Sequence, residues 1–196
     1  QPAAASSCEL LYALFAAMGV LITAEAATCL LLGLTTDTQS FQTSATVAGS
    51  LRAAAALIDL GADRARVTSE VYLALPATSA ALIGRALAGM HHGGGIAWTH
   101  VSLAMMAETG AEEEAADEVV RVIQRIAGVR ALVLFKQRGD GTTKISLRSR
   151  PPHNVAALAQ VFGGGGHAQA AGATLPVSPV EAEALVLPRL RALIEG

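Results

Sequence analysis

Residues 129–149 constrain the fold more than any other stretch, because they read as two strands joined by one turn. Val129 to Gln137 is a run rich in Val and Leu, and Thr142 to Ser149 alternates cleanly. In the second strand Ile145 and Leu147 face one side, while Lys144, Ser146 and Arg148 face the other. Gly139-Asp140-Gly141, between the two runs, has hairpin chemistry. Around this pair, Ile96 to Val101 reads as a further strand, Glu112 to Ala127 as an amphipathic helix with acids in its first turn, and Ala173 to Val177 as a last strand. Asn154 caps a helix to Phe162. Ser178-Pro179-Val180-Glu181 opens the final helix with a capping box, and Pro188 predicts a kink within it.

Upstream the pattern is different. Ser7 to Met18, Thr23 or Ala24 to Gly33, Thr46 to Gly61, Asp63 to Pro76 and Thr78 to Gly89 read as five helices with no convincing strand among them. Apolar helices in such number pack on something, and a sheet is the missing partner. The break falls near residues 76–95, where His91-His92-Gly93-Gly94-Gly95 resembles a joint. The expected organisation is a helical part over residues 1–75, a linker over 76–95 and an α+β part over 96–196.

Composition excludes several classes. With 196 residues the chain has room for one ordinary domain or two small ones. It is 52% hydrophobic and only 15% charged, but much of the apolar excess is alanine. The apolar stretch Leu10 to Thr23 is broken by Gly19 and falls short of the roughly 20 residues a span needs. It therefore reads as a buried helix, with no membrane role. A formal net charge of −2 argues against general coating of nucleic acid, yet leaves room for a local cationic cluster that holds a small anion. Cys8 and Cys29 lack metal-ligand spacing and read as two buried free thiols, which suits the cytoplasm. The apolar helices favour self-association, a homodimer included.

Three places carry candidate chemistry. On the strand Thr142 to Ser149, two cations flank a hydroxyl, either as a phosphate site or as the solvated face of an edge strand. One helix later, Val161 to Leu175 reads VFGGGGHAQAAGATL. Its four glycines are either a flexible loop or a set of amides offered to a phosphate, with His167 as a ring donor and Ala170-Ala171-Gly172 as a closely packed short helix. The third place is Gly33 to Phe41, where Asp37 stands among small hydroxyl residues just past an apolar helix. It is either a cap or a hard carboxylate suited to Mg²⁺ or Mn²⁺. His91 and His92 read as loop residues, Met105-Met106 as core filling, and Glu112-Glu113-Glu114 as a solvated helix start. His100 and His153 give no constellation.

Gly164-Gly165-Gly166-His167-Ala168-Gln169-Ala170-Ala171-Gly172 resembles the GGGHxxAAG signature of the C-terminal associated domain of the DHH phosphoesterase superfamily. Ile145-Ser146-Leu147-Arg148-Ser149, an intervening helix and then the glycine tract resemble that family's SxRS-to-GGGH order. Thr36-Asp37-Thr38 with Ser40-Phe41 resembles the fourth DHH motif of the nanoRNase and phosphoadenosine-phosphate phosphatase subfamily. The likeness runs from about Ala4 to Leu175. It implies an α/β protein: the helical remainder of a DHH domain, then an α+β associated domain with a mixed sheet.

The resemblance further implies a phosphoesterase with two Mn²⁺ ions bridged by aspartates, a clamp for attacking and leaving oxygens. Asp37 would be the catalytic metal ligand. Ser146, Arg148, Ser149, Gly164, Gly165, Gly166 and His167 would hold the substrate: short RNA, linear or cyclic di-adenylate, or 3′-phosphoadenosine 5′-phosphate. Gln39, Gln42 and Ala45 depart from the family's usual residues. The DxD and Asp-His-His motifs do not occur in this sequence. The expectation is a C-terminal portion with an incomplete metal centre, inactive by itself and partnered by a missing N-terminal DHH segment. The alternative is a nucleotide-binding module without catalysis.

Overall fold

The computed structural model describes residues 4–43 and 45–195. The chain divides into two compact units, Gln1–Leu75 and Pro76–Gly196.

In the first unit, α1 (Ser7–Ala17), α2 (Ala24–Asp37), α3 (Ala48–Asp59) and α4 (Arg64–Tyr72) follow in order. Hydroxyl and carboxylate caps set three of the starts: Ser6 Oγ accepts from the Cys8 amide, Thr23 Oγ1 from Ala26 and Asp63 Oδ1 from Arg66. The fourth start differs from expectation, since extended Val47 and not Thr46 precedes α3. Leu30, Leu31 and Leu34 of α2 pack with Ala53, Ala54 and Leu57 of α3 and Val67 of α4. Gly33 does not stop α2. A Cβ there would lie 2.3 Å from Cys8 Sγ, so the glycine serves close approach of α1, and the helix runs on to Asp37.

Two readings of this unit are corrected. α1 contains no fully buried residue, and Leu10, Leu11 and Leu14 lie outward. Among the described residues no single helix is long and apolar enough to cross a membrane. Cys8 and Cys29 are both free, but Cys8 is half-buried and Cys29 exposed.

The second unit is built on a six-stranded mixed sheet of order β1-β2-β3-β4-β6-β5. Its strands are β1 (His91–Gly93), β2 (Ile96–Val101), β3 (Ala131–Gln137), β4 (Thr143–Ser149), β5 (Gly165–His167) and β6 (Ala170–Leu175). Only β2 and β3 run parallel, joined through α6 (Leu103–Thr109) and α7 (Ala115–Gln124); the other pairs are antiparallel. β3 is buried on both faces. Leu132 and Leu134 pack with α7 and α5 (Ala77–Ala88), while Val133 and Phe135 pack with α8 (Val155–Val161) and α9 (Pro179–Glu195).

Segment 76–95 is therefore no linker: it forms α5 and the edge strand β1, and His91 stacks on Trp98 across the hairpin. α7 begins at Ala115, after a turn at Glu112–Glu114, and α6 is an unforeseen helix. Ala170-Ala171-Gly172 opens a strand, not a short helix. α9 is continuous through Pro188.

Candidate functional site

β4 supplies the centre of the site, and its alternation places each side chain. Ile145 and Leu147 enter the core on the α8–α9 side. Lys144, Ser146 and Arg148 project to the opposite side, where the α5–α7 core draws on β2 and β3 but on no residue of β4, β5 or β6. That side of β4, β6 and β5 thus has no apolar cover: Lys144, Gly165 and His167 are exposed, while α7 reaches β4 beside half-buried Arg148. β4 is flanked by β3 and β6, so the face belongs to a central strand and the edge-strand reading is excluded.

Cross-strand register then brings the sequence-distant residues together, because residues directly opposite one another share a face. Arg148 stands opposite Ala170, and Ala170 opposite His167. One step along, Ser146 stands opposite Gly172, and Gly172 opposite Gly165. A further step along, Lys144 stands opposite Thr174. With strands roughly 4.8 Å apart, Arg148 and His167 bracket a gap of about 10 Å whose neighbouring row is floored by glycine.

The tetraglycine is neither a floppy linker nor a bare amide cradle. Gly163 closes α8 with φ +73°, and its amide donates to the Gln160 carbonyl. At Gly164 a Cβ would lie 2.1 Å from the Gly172 oxygen and 2.6 Å from Ala173 Cβ; at Gly166, 2.5 Å from the Ala170 oxygen. These two positions need glycine so that β5 can lie on β6. Gly165 has nothing within 4 Å of a Cβ and faces open space.

Electrostatically the face is cationic. Burial pushes the Arg148 guanidinium below its usual pKa, Asp117 raises it and Arg121 lowers it again. A guanidinium does not deprotonate in a protein, so it stays charged at neutral pH. Its Nη1 donates to the Leu147 carbonyl, and no other hydrogen bond of the guanidinium occurs among the described residues. His167 is exposed and Ser146 half-buried.

Ser149 lies apart from this group. It is buried on the other face, and its Oγ donates to the His153 carbonyl at 2.8 Å, so it holds the turn after β4 instead of a ligand. His100, read as isolated, stacks on Phe135 and sits with Nε2 3.0 Å from Glu183 Oε2, while Trp98 Nε1 donates to Glu183 Oε1. That cluster ties α9 to β2.

In the first unit, Asp37 is the last residue of α2 and not a loop residue beyond it. Ser6 Oγ donates to Asp37 Oδ2 at 2.7 Å, and the carboxylate is otherwise exposed. The chain then turns sharply: Gln39, Ser40 and Phe41 all have positive φ, at 48°, 60° and 66°. Such conformations cost of order 1–3 kcal/mol each in non-glycine residues and concentrate at functional sites. Buried Thr38 organises the turn, with Oγ1 donating to the Leu34 carbonyl and accepting from the Phe41 amide. An exposed carboxylate with one oxygen fixed suits a single hard-metal ligand. No group of three or more His, Cys, Asp or Glu suited to a metal ion occurs among the described residues.

Residues 99–195 match the DHHA1 domain family. Over 176 residues the chain is 35% identical to the bifunctional oligoribonuclease and PAP phosphatase NrnA of Thermus thermophilus, covering 89% of this chain and 52% of that protein. The chain carries a DHHA1 domain. It is also 34% identical over 178 residues to the cyclic-di-AMP phosphodiesterase GdpP of Geobacillus thermodenitrificans, covering 87% of this chain and 25% of that protein. The chain thus spans about half the length of one of these relatives and a quarter of the other. The fold matches the crystal structure of an exopolyphosphatase-related protein from Bacteroides fragilis with a TM-score of 0.91 at 23% identity, over 100% of this chain and 60% of that one. The open face of β4, β6 and β5 lies wholly within the DHHA1 domain, whereas Asp37 lies outside it.

Proposed function

We propose that the open face of β4, β6 and β5 binds the phosphate and base of an adenine nucleotide or short oligoribonucleotide. In this reading Asp37 is one ligand of a Mn²⁺ centre in a longer phosphoesterase. The observation that carries the reading is the register, which sets Ser146, Arg148 and His167 on one uncovered face around a glycine floor. Arg148 offers a planar fork to phosphate oxygens, Ser146 a hydroxyl donor, and His167 a ring that stacks on a base or donates to a second oxygen. The names of the relatives, an oligoribonuclease and PAP phosphatase and a cyclic-di-AMP phosphodiesterase, support nucleotides as the ligand class.

Manganese is the ion this family reading implies, supplying charge neutralisation at the reacting phosphate. Asp37 fits one coordination position. The lack of a three-residue ligand cluster among the described residues favours a second statement: residues 1–196 by themselves bind nucleotide without hydrolysing it.

Calorimetric titration of AMP into the chain tests the binding reading. Losing a charge-assisted hydrogen bond costs about 1.5–3 kcal/mol, so Arg148→Ala is expected to weaken AMP roughly tenfold to a hundredfold. His167→Ala is expected to weaken it less. Unchanged affinity in the double variant contradicts the assignment.

A further inference from the structure

We propose that Glu9 is a positioning residue for Asp37, acting on it through Ala5 and Ser6. This rests on the reading of Asp37 as a metal ligand, and adds the residues that aim its carboxylate.

The hydroxyl protons fix the direction of the contacts. Ser6 Oγ accepts from the Cys8 amide at 3.1 Å, so its single proton goes to Asp37 Oδ2, 2.7 Å away. Ser6 is buried, and water does not compete for that proton. With Oδ2 held, Asp37 is fixed in orientation and presents its other oxygen. Ser6 keeps its place only if the chain ahead of α1 is held. The Ala5 amide holds it by donating to Glu9 Oε2 at 3.1 Å. Glu9 is in turn anchored from a third helix. Ser50 Oγ accepts from the Val47 amide at 3.3 Å and gives its proton to the same Glu9 oxygen at 3.0 Å. Ser50 is also buried. The start of α3, the start of α1 and the end of α2 are thereby joined through one carboxylate.

Glu9 is suited to this place by charge as well as reach. Val47 has no polar side chain with which to cap α3, and the Glu9 carboxylate stands at that helix start, where negative charge is favourable. The approach is close: a Cβ on Gly49 would lie 3.4 Å from Glu9 Oε1. Glu9 is half-buried and takes part in none of the ion pairs found among the described residues. Its Oε2 already accepts two hydrogen bonds, so Glu9 acts on Asp37 through the Ala5–Ser6 segment and not as a ligand itself.

The test is the Mn²⁺ affinity of the full-length protein proposed above, read from the electron paramagnetic resonance of the free ion, beside the midpoint of chemical denaturation. Glu9→Leu removes both contacts and is expected to weaken Mn²⁺ about tenfold, the lower end of the range for outer-shell partners. Ala5→Pro removes only the amide that donates to Glu9 and leaves Ser50 and α3 as they are. It is expected to weaken Mn²⁺ to a similar extent with little change in midpoint. The double variant Ser6→Ala, Glu9→Leu is expected to bind Mn²⁺ no more weakly than Ser6→Ala, because both changes act on one contact. Thr28→Ala removes the 2.9 Å bond from the Asp63 amide, elsewhere in the same unit, and is expected to lower the midpoint while keeping Mn²⁺ affinity. Wild-type affinity in either Glu9→Leu or Ala5→Pro, or additive losses in the double variant, overturns the positioning role while Asp37 stands as a ligand. Unchanged Mn²⁺ affinity in Asp37→Asn overturns the ligand reading and the positioning role with it.

Discussion

Replacing Gly164 with valine is expected to break the β5–β6 hairpin and abolish ligand binding, whereas replacing neighbouring Gly165 with alanine is expected to leave the fold intact. At Gly164 the first side-chain atom would meet backbone: the Gly172 carbonyl oxygen at 2.1 Å and Ala173 Cα at 2.7 Å. No rotamer relieves a collision at Cβ. β5 must therefore separate from β6, at a cost of ~3 kcal/mol, the upper part of the usual overpacking range. Gly165 meets nothing within 4 Å and has no positive φ, so a methyl there is accepted by the strand. It projects instead onto the open face beside Gly172 and Ser146 and takes up ligand space. Chemical denaturation separates the two: a large shift of the midpoint for Gly164→Val and almost none for Gly165→Ala. Both variants are expected to bind AMP poorly, for different reasons. Equal stability of the two contradicts the steric account.

Asp37→Asn in the full-length protein proposed above is expected to lower Mn²⁺-dependent hydrolysis of a diadenylate by more than ~100-fold. Outer-shell partners of a metal are worth roughly 10–100-fold, and a direct ligand is worth more. Asparagine keeps the shape of the side chain and still accepts from Ser6 Oγ, so α2 and the turn after it are retained. What is removed is the charge and one oxygen lone-pair donor. Ser6→Ala, which frees the carboxylate without removing it, is expected to fall within the outer-shell range. AMP affinity is expected to be unchanged in both, since Arg148 and His167 are untouched. Full turnover in Asp37→Asn removes it from the metal centre.

How much of this was legible in the sequence depends on the range of the interaction concerned. The alternation of β4 is local, and it placed Lys144, Ser146 and Arg148 on one face correctly. The same alternation excludes Ser149, which shares parity with Ile145 and Leu147 and is buried with them. Motif order had grouped it with Arg148, but strand period separates them. The caps at Thr23, Asp63 and Asn154 and the capping box at Ser178 are likewise local, and each makes its hydrogen bond.

What failed was decided at a distance. Glycine has low strand propensity, so Gly165–His167 reads locally as a loop; the pairing that makes it β5 comes from β6. His91–Gly93 is a strand for the same reason, through Trp98 and its neighbours on β2. Gly33 looks like a helix stop until Cys8 of α1 is seen against it. The His100–Glu183 contact joins residues 83 positions apart, and nothing in either neighbourhood announces it.

The central claim is that one particular face of the sheet, and not the glycine loop alone, binds nucleotide. Its most direct test is amide chemical-shift mapping of the chain titrated with AMP. The account predicts shifts that grow together at Ser146, Arg148, Gly165, His167, Ala170 and Gly172, with α8 and α9 unmoved. Shifts confined to the α8–α9 side, or to Gly163–Gly166 with β4 silent, would contradict it.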